Sequence, residues 1–205
     1  MRLIVSLALL PAWIGSAAAD PLVLAETPMV SGRCRVVATT KTDETGEPLK
    51  KSEWYASEWR CEGYQGRFVY IAYDDQREGV AFGTARAAST DYMWPSGFGA
   101  WGPSIQWRGP KGASSQAPLA AIARYSWNTP TGTGSEPPDI GADLAVISVG
   151  RGRKDTCIVA WVDALANPDA ADLAAKRADE ALSANICAAG RQPERIGKLS
   201  PRPAE

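Results

Sequence analysis

The chain has no histidine. This absence excludes Ser-His-Asp and Cys-His catalysis, and it removes the commonest protein ligand for transition metals. The sequence also lacks S-x-x-K and G-x-S-x-G, which mark penicillin-binding proteins and α/β-hydrolases. It has no EF-hand spacing of acidic residues either. We therefore expect no catalytic residue of these classes, no metal and no cofactor.

Neither sign of charge is in excess. The 22 Lys and Arg residues nearly balance the 23 Asp and Glu residues, which gives a formal net charge of −1. A nearly neutral chain offers no electrostatic argument for nucleic acid or an anionic membrane as a partner. Hydrophobic runs are short beyond the N-terminus, so the mature chain is expected to have no membrane span.

The N-terminal segment has the parts of a secretory signal peptide. Arg2 precedes an apolar run over residues 3–14, and small residues at 17–19 supply a cleavage site. The run is too short to span a bilayer comfortably, and no cysteine follows the site as a lipoprotein would require. We expect residues 1–19 to be removed by cleavage near Ala19. The mature protein would then be periplasmic or secreted.

The four cysteines contain no C-x-x-C pair, which argues against a zinc knuckle or a thioredoxin-type site. In an exported chain an even number of cysteines indicates disulfides. Four cysteines allow three connectivities, and we expect neighbours to pair, as Cys34–Cys61 and Cys157–Cys187. Each bridge would stabilise the fold by about 3–4 kcal/mol in the chain-entropy model.

The clearest secondary-structure pattern lies between Asp143 and Cys187. Residues 143–150 (DLAVISVG) and 155–164 (DTCIVAWVDA) predict two strands joined by a charged, glycine-containing hairpin turn. The second strand is apolar on both faces, which is typical of a central strand covered by other structure.

An alanine-rich helix is predicted to follow. Asn167 fits the N-cap and Pro168 the first helical position. Small and apolar residues then recur at helical spacing from Ala170 to Ile186. Because alanine side chains are short, this face can lie close to a sheet. A disulfide from Cys187 would tie the end of the helix to the second strand.

The residues before Asp143 predict short strands separated by turns. The strand patterns lie at 33–40, 52–62, 67–73, 78–83, 105–108 and 119–127, with a lead-in at 20–32 and a long irregular segment at 85–103.

These patterns together predict an α+β fold. We expect a mainly antiparallel β-sheet, arranged as a meander, with one C-terminal amphipathic helix packed on it. One disulfide is expected within each half of the chain. Residues 20–189 would form a single domain. Residues 190–205 contain three prolines and several charges, and they predict a disordered tail.

The run at 97–102 matches the dinucleotide fingerprint G-x-G-x-x-G by its letters alone. That motif works only between a strand and the start of a helix. Here Pro95 precedes the run and Pro103 follows it. We therefore expect no nicotinamide cofactor.

Paired carboxylates are the remaining enzymatic option. Asp74, Asp75, Glu78 and Asp91 are near one another in the sequence. A carbohydrate-active hydrolase needs two carboxyl groups about 5–10 Å apart. The competing interpretation is that Asp74 and Asp75 occupy a hairpin turn, where aspartate is common.

An aromatic cluster is the strongest indication of a binding surface. Tyr92, Trp94, Phe98, Trp101 and Trp107 fall within sixteen positions, among glycines and prolines, and Arg108 follows them. Such rings can form a platform for sugar rings or a partner protein, with Arg108 as a polar contact. The alternative is that the rings fold inward as a small core under a long loop, since large aromatic residues are buried on average.

Three segments, WRC at 59–61, GPSIQWR at 102–108 and CIVAWVDA at 157–164 followed by NPDA, resemble a group of exported bacterial proteins of unknown function. The resemblance implies a Gram-negative periplasmic setting, and it brings no ligand or catalytic residue. We expect a non-enzymatic module that binds an envelope protein or a glycan. A carbohydrate-active hydrolase and a structural envelope accessory protein are the alternatives.

Overall fold

The computed structural model describes residues 22–30, 32–43, 45–74, 77–84, 92–110, 112–114, 117–129, 139–150, 155–182, 186–187 and 191–200. The predicted signal peptide lies outside these residues. The strands are β1 (Leu22–Pro28), β2 (Cys34–Thr40), β3 (Tyr55–Glu62), β4 (Phe68–Asp74), β5 (Arg77–Gly83), β6 (Phe98–Gly109), β7 (Leu119–Thr129), β8 (Asp139–Val149), β9 (Cys157–Asp163) and β10 (Glu194–Ile196). The α-helix α1 spans Ala170–Ala181, and a short 3-10 helix, Lys51–Glu53, precedes β3.

All ten described strands belong to one sheet with the order β10-β9-β8-β7-β6-β5-β4-β3-β2, and β1 pairs with β6 beside this path. The described pairs are antiparallel except for β9–β10 and β5–β6. A single register pair, Arg77 with Gly99, joins β5 to β6. The rest of that edge of β6 pairs with β1, from Ser104 to Gly109. The sheet therefore consists of two halves that meet at a narrow seam between β5 and β6.

The larger hydrophobic core contains residues from both halves. Apolar side chains alternate along the long strands, such as Ile105 and Trp107 on β6, and they pack with Val80 and Phe82 of β5. Each fully buried aliphatic or aromatic side chain of this size stabilises the fold by about 1.5–3 kcal/mol. Because one cluster collects residues from both sides of the seam, the halves are held together by packing more than by backbone pairing.

The helix packs on a second, smaller core. Its buried alanines, including Ala174 and Ala178, contact Val146 of β8 and Ala160 of β9. The confirmed α+β fold is thus a mixed sheet with one C-terminal helix against it. Alanine buries little area, so the Cys157–Cys187 bridge, which joins β9 to the chain after the helix, adds stability at this place.

Both predicted disulfides are confirmed. Cys34 and Cys61 are register partners on β2 and β3, with their Cα atoms 4.2 Å apart. Cys157 and Cys187 have a Cα separation of 5.6 Å. The bridged cysteines are 27 and 30 residues apart in the chain, so the estimate of about 3–4 kcal/mol for each bridge holds for both.

The predicted helix start was wrong. The helix begins at Ala170, and Asn167 lies before it in a buried turn. The Asn167 side chain donates Nδ2–H to the backbone oxygens of Asp163 and Lys198, both at 2.8 Å, and its Oδ1 accepts from Lys198 N at 2.8 Å. An amide can donate and accept at once, which an N-cap does not require. Asn167 therefore anchors the C-terminal segment rather than the helix.

The prediction of disorder from residue 190 does not hold for 191–200. Within this segment β10 pairs in parallel with β9, from Glu194 opposite Ala160 to Ile196 opposite Val162. Ser200 N also donates to the buried carboxylate of Asp163 at 2.7 Å. Burial alone raises the pKa of Asp163, but hydrogen bonds from Ser200, Ala166 and Leu165 outweigh it, and the net pKa is lowered.

Two further segments differ from their predictions. The lead-in at 20–32 contains β1, and the irregular segment at 85–103 contains the first residues of β6. The pairing of β6 with β7 is interrupted between Trp101 and Ile105. Gly102 and Pro103 lie in this interruption, where a proline removes no ladder hydrogen bond. Breaker residues that predict a loop are therefore compatible with one long, irregular strand.

Candidate functional site

The predicted aromatic binding residues lie in three different environments. Trp107 has no exposed surface, and its Nε1 donates to Thr27 Oγ1 at 2.8 Å. Its ring stands perpendicular to that of Phe82, at a centroid distance of 5.6 Å. Trp107 is therefore a core residue that joins β6 to β1 and β5.

Trp101 is also buried, and it closes the seam between β5 and β6. Its backbone N donates to Glu78 Oε2 at 2.8 Å, and its Nε1 donates to the Glu78 backbone oxygen at 2.9 Å. Burial raises the pKa of Glu78, while the hydrogen bond from Trp101 N partly lowers it, and the net pKa is raised. These two contacts replace the backbone ladder that β5 and β6 lack.

Arg108 points away from the other predicted site residues. Its Nε and Nη2 donate to Oδ1 and Oδ2 of Asp179, both at 2.7 Å. Asp179 belongs to α1, so the guanidinium is held on the helix face of the sheet. Its charge is balanced there, and it does not form a contact surface with Trp101.

Tyr92, Trp94 and Phe98 are the predicted residues that keep partly exposed side chains. Tyr92 donates its hydroxyl to Glu58 Oε1 at 2.8 Å, and its ring lies 5.9 Å from that of Trp94. A Cβ added to Gly79 would come within 2.8 Å of Trp94 Cδ2, so the indole rests directly on the β5 backbone. The Trp94 side chain is therefore partly exposed, and one side of its indole packs on the backbone of β5 at Gly79.

A cleft of about 450 Å³ has Trp94 in its wall. Its volume falls in the range of small-molecule sites, about 300–1,000 Å³. Three segments line it: 93–96, residues 156–158 with Trp161 of β9, and 191–193 with Arg195 of β10. The cleft thus lies where the segment before β6 and the C-terminal segment approach the same part of β9.

Trp161 is the second aromatic residue of the cleft. Its ring stacks on that of Trp101 with an interplanar angle of 16° and a centroid distance of 6.3 Å. The Tyr125 ring lies 6.4 Å away. One part of the Trp161 side chain therefore packs on core rings, and the remaining part is available to the cleft. An aromatic ring fixed in this way loses little conformational freedom when a ligand stacks on it.

Arg195 lies beside Trp161, because the two residues are register partners on β10 and β9. Its Nη1 is 3.6 Å from Oδ1 of Asp143, whose side chain is 3% exposed. The other oxygen, Asp143 Oδ2, accepts Trp127 Nε1–H at 3.1 Å. A buried carboxylate therefore orients the guanidinium, which keeps 32% of its side chain exposed. Arg191 is a second, exposed cation of the cleft.

A second hollow, near Glu78, is much smaller. Its volume is about 130 Å³, and Met29, Cys34, Trp59 and Ile71 line it together with Glu78. This volume is below the usual range for ligand sites, about 300–1,000 Å³. Its Glu78 oxygen is already bonded to Trp101 N. We therefore treat the larger cleft as the candidate site.

The carboxylates proposed for a hydrolase do not form a facing pair where they are described. Glu78 is the register partner of Tyr73, and Asp74 is the register partner of Arg77. Neighbouring residues of a strand point to opposite faces, so Asp74 and Glu78 lie on different faces of the sheet. Asp75 and Asp91 fall outside the described residues. The residues that are described also contain no cluster of Asp, Glu and Cys suited to a metal ion.

The cleft contains residues that the sequence did not single out. Trp161 belongs to a strand with apolar residues on both faces, and such a strand gives no sign that one ring is half-exposed. Arg191 and Arg195 were assigned to a disordered tail. Their position depends on Asn167 and Asp163, which bond to backbone atoms at Lys198 and Ser200. Contacts so distant in the chain leave no local pattern.

Comparison with protein-family models, with curated proteins and with solved structures returned no match. Among the described residues, no helix has the length and apolar character needed to cross a membrane.

Proposed function

We propose that this protein is an exported, non-enzymatic binding module of the cell envelope, and that the cleft between residues 93–96 and 191–195 binds a glycan. The observation that carries the proposal is the pair Trp94 and Trp161, two partly exposed rings in one cleft. Sugar rings bind proteins by placing an apolar face on an aromatic ring, with polar side chains around it. Both tryptophans are supported from behind, Trp94 by Gly79 and Trp161 by Trp101.

The size of the cleft favours a glycan over a folded protein partner. A specific protein interface buries about 800 Å² on each partner, over a broad surface. A cleft of about 450 Å³ instead encloses a ligand of a few sugar units. The proposal keeps Trp94 as the binding residue from the predicted aromatic cluster. Tyr92 supports it through the ring contact, and Trp101 supports Trp161.

Export is supported by the covalent structure and the N-terminal sequence. Both disulfides are compatible with a periplasmic or extracellular protein, since thiols oxidise in those compartments. The pattern of residues 1–19 adds the features of a cleavable leader. We place the mature protein in the periplasm or outside the cell on these two grounds.

The sequence supports binding rather than catalysis. Without histidine, acid–base chemistry would depend on carboxylates. Two buried carboxylates of β8 and β9 are committed to other groups: Asp143 accepts Trp127 Nε1–H, and Asp163 accepts three backbone N–H groups. Carboxylates held in this way maintain the fold of the site and are poorly placed to transfer protons to a ligand.

The test is calorimetric titration of the mature protein with oligosaccharides from envelope glycans. We expect Trp94→Ala to lower the affinity about tenfold, because loss of one stacking ring costs up to about 1.5 kcal/mol in addition to the lost buried area. Trp54→Ala is the matched control, since Trp54 is an exposed tryptophan before β3 that does not line the cleft. Melting temperatures identify any variant that fails to fold. Equal affinities for the two variants would contradict the proposal.

A further inference from the structure

We infer that the ligand of the cleft is an acidic glycan, whose carboxylate or phosphate group is bound by Arg195 with Arg191 as a second cation. This inference rests on the proposed function of the cleft as a glycan site. It adds the chemical class of the ligand, which the two tryptophans by themselves leave open.

The cleft is lined by arginine side chains. Its described lining includes Arg191 and Arg195 and no Asp or Glu. Buried Asp143 lies behind Arg195 and balances its charge in part, and Arg191 is the second, exposed cation of the same lining. Arg195 differs from Arg108 in exposure: its side chain is 32% exposed, whereas the side chain of Arg108 is 10% exposed and bound to Asp179. Like charges gathered in one cleft raise the local concentration of anionic ligands.

Arg195 is oriented by a buried carboxylate. Asp143 is buried behind this arginine, with Oδ1 at 3.6 Å from Nη1, and the Arg195 side chain stays 32% exposed. A guanidinium has five N–H donors in a planar fork, which matches the two oxygens of a carboxylate or phosphate. Asp143 is thus a positioning residue: it reduces the freedom of Arg195 before a ligand arrives.

The register of β9 and β10 places Arg195 next to Trp161. Arg195 is opposite Trp161, so the guanidinium and the indole stand side by side on the same face. A sugar ring that stacks on Trp161 places its substituents at the ring edge, beside Arg195. An acidic substituent there would meet the cation while the ring keeps its aromatic contact. The two contacts together distinguish an acidic sugar from a neutral sugar and from a free anion.

Calorimetry with trigalacturonate and its methyl ester tests the inference, because the ester keeps the sugar rings and replaces each carboxylate charge with a neutral methyl ester group. We expect the acid to bind at least about tenfold more tightly than the ester at low salt, which corresponds to one charge-assisted contact. The difference should shrink as salt is added. A phosphorylated maltotriose, compared with maltotriose, distinguishes a phosphate ligand from a carboxylate.

Arg195→Gln should remove most of the preference for the acid over the ester. Arg35→Gln is the matched control, since Arg35 is an exposed arginine on β2 outside the cleft. Equal affinities of wild type for charged and neutral forms of both sugars would overturn the inference and leave the glycan site standing. Failure of every form to bind would overturn both.

Discussion

Arg108 on β6 and Asp179 on α1 form a bidentate ion pair, with Nε–Oδ1 and Nη2–Oδ2 distances of 2.7 Å. The pair joins the helix to a strand in the middle of the sheet, and the two side chains are only 10% and 21% exposed. It supplies directional contact where the alanine face of the helix supplies little area. The residue that the sequence suggested as a ligand contact is therefore part of the attachment of the helix.

The first prediction concerns this pair. Asp179→Ala leaves the Arg108 guanidinium buried without its carboxylate, and we expect a loss of about 2–4 kcal/mol in unfolding free energy. Glu180→Ala is the control: its carboxylate is 54% exposed and lies 3.7 Å from Arg177, so its loss should cost less than about 1 kcal/mol. Urea denaturation of both variants provides the comparison. Equal losses would show that Arg108 does not depend on Asp179.

The disulfides and most strands could be predicted because their signals are local. A run of β-branched and aromatic residues predicts β4, and a run that is apolar on both faces predicts β9. The even number of cysteines predicts two disulfides, and pairing of neighbours gives Cys34–Cys61 and Cys157–Cys187. The sequence could not reveal β10, because its three residues form a strand only through pairing with the edge of β9. The segment that contains β10 is attached through Asn167 and Asp163. By sequence alone, Asn167 fits a helix N-cap and Asp163 lies near the end of a strand.

In the aromatic cluster, the sequence could not predict which tryptophan rings are buried. Trp94, Trp101 and Trp107 have similar neighbours in the sequence, but one lines the cleft and two are buried. The difference arises from pairing partners: Trp107 lies opposite Ala25 of β1, and Trp101 lies opposite Tyr125 of β7. Composition cannot distinguish these cases, because burial of a ring depends on strands that are far away in the chain.

The second prediction is a pH dependence that arises from Glu78. Its pKa is raised in the folded protein by burial, so the folded state binds more protons than the unfolded state between the ordinary and the raised pKa. The contribution of Glu78 to the unfolding free energy is therefore fully present below the ordinary pKa of a glutamate. It is lost as the pH rises through the raised pKa of the folded protein. Glu78→Gln keeps an oxygen that can accept Trp101 N–H and does not ionise.

We therefore expect the melting temperature of Glu78→Gln, relative to wild type, to rise as the pH increases from about 4 to 7. Glu47→Gln changes an exposed loop carboxylate and serves as the control. Thermal melts across this pH range give the measurement. A difference between Glu78→Gln and wild type that stays constant with pH would mean that Glu78 does not titrate in this window.

The third prediction concerns the attachment of the C-terminal segment. Asn167→Ala removes three hydrogen bonds, two to Lys198 and one to Asp163, and should lower the unfolding free energy by about 1–3 kcal/mol. Hydrogen exchange should increase at 194–200 and remain unchanged in β7, because only the segment is released. Asn128→Ala, an exposed change on β7, is the control. Unaltered exchange at 194–200 would show that other contacts suffice to hold β10.

The fourth prediction tests whether Gly79 sets the position of Trp94. A Cβ at residue 79 would lie 2.8–2.9 Å from three atoms of the indole, so Gly79→Ala must displace the ring. We expect glycan affinity to fall by about three- to tenfold, the effect of a weakened stacking contact of 0.5–1.5 kcal/mol. The melting temperature should change little, since Trp94 is only partly buried.

Gly32→Ala is the matched control for this change, because nothing lies within 4 Å of a Cβ at residue 32. Gly79→Ala combined with Trp94→Ala decides the mechanism. If Gly79 acts only by supporting the indole, the double variant should bind as weakly as Trp94→Ala and no more weakly. A further loss in the double variant would mean that the alanine disturbs β5 itself, and that the effect of Gly79→Ala is not confined to the Trp94 indole.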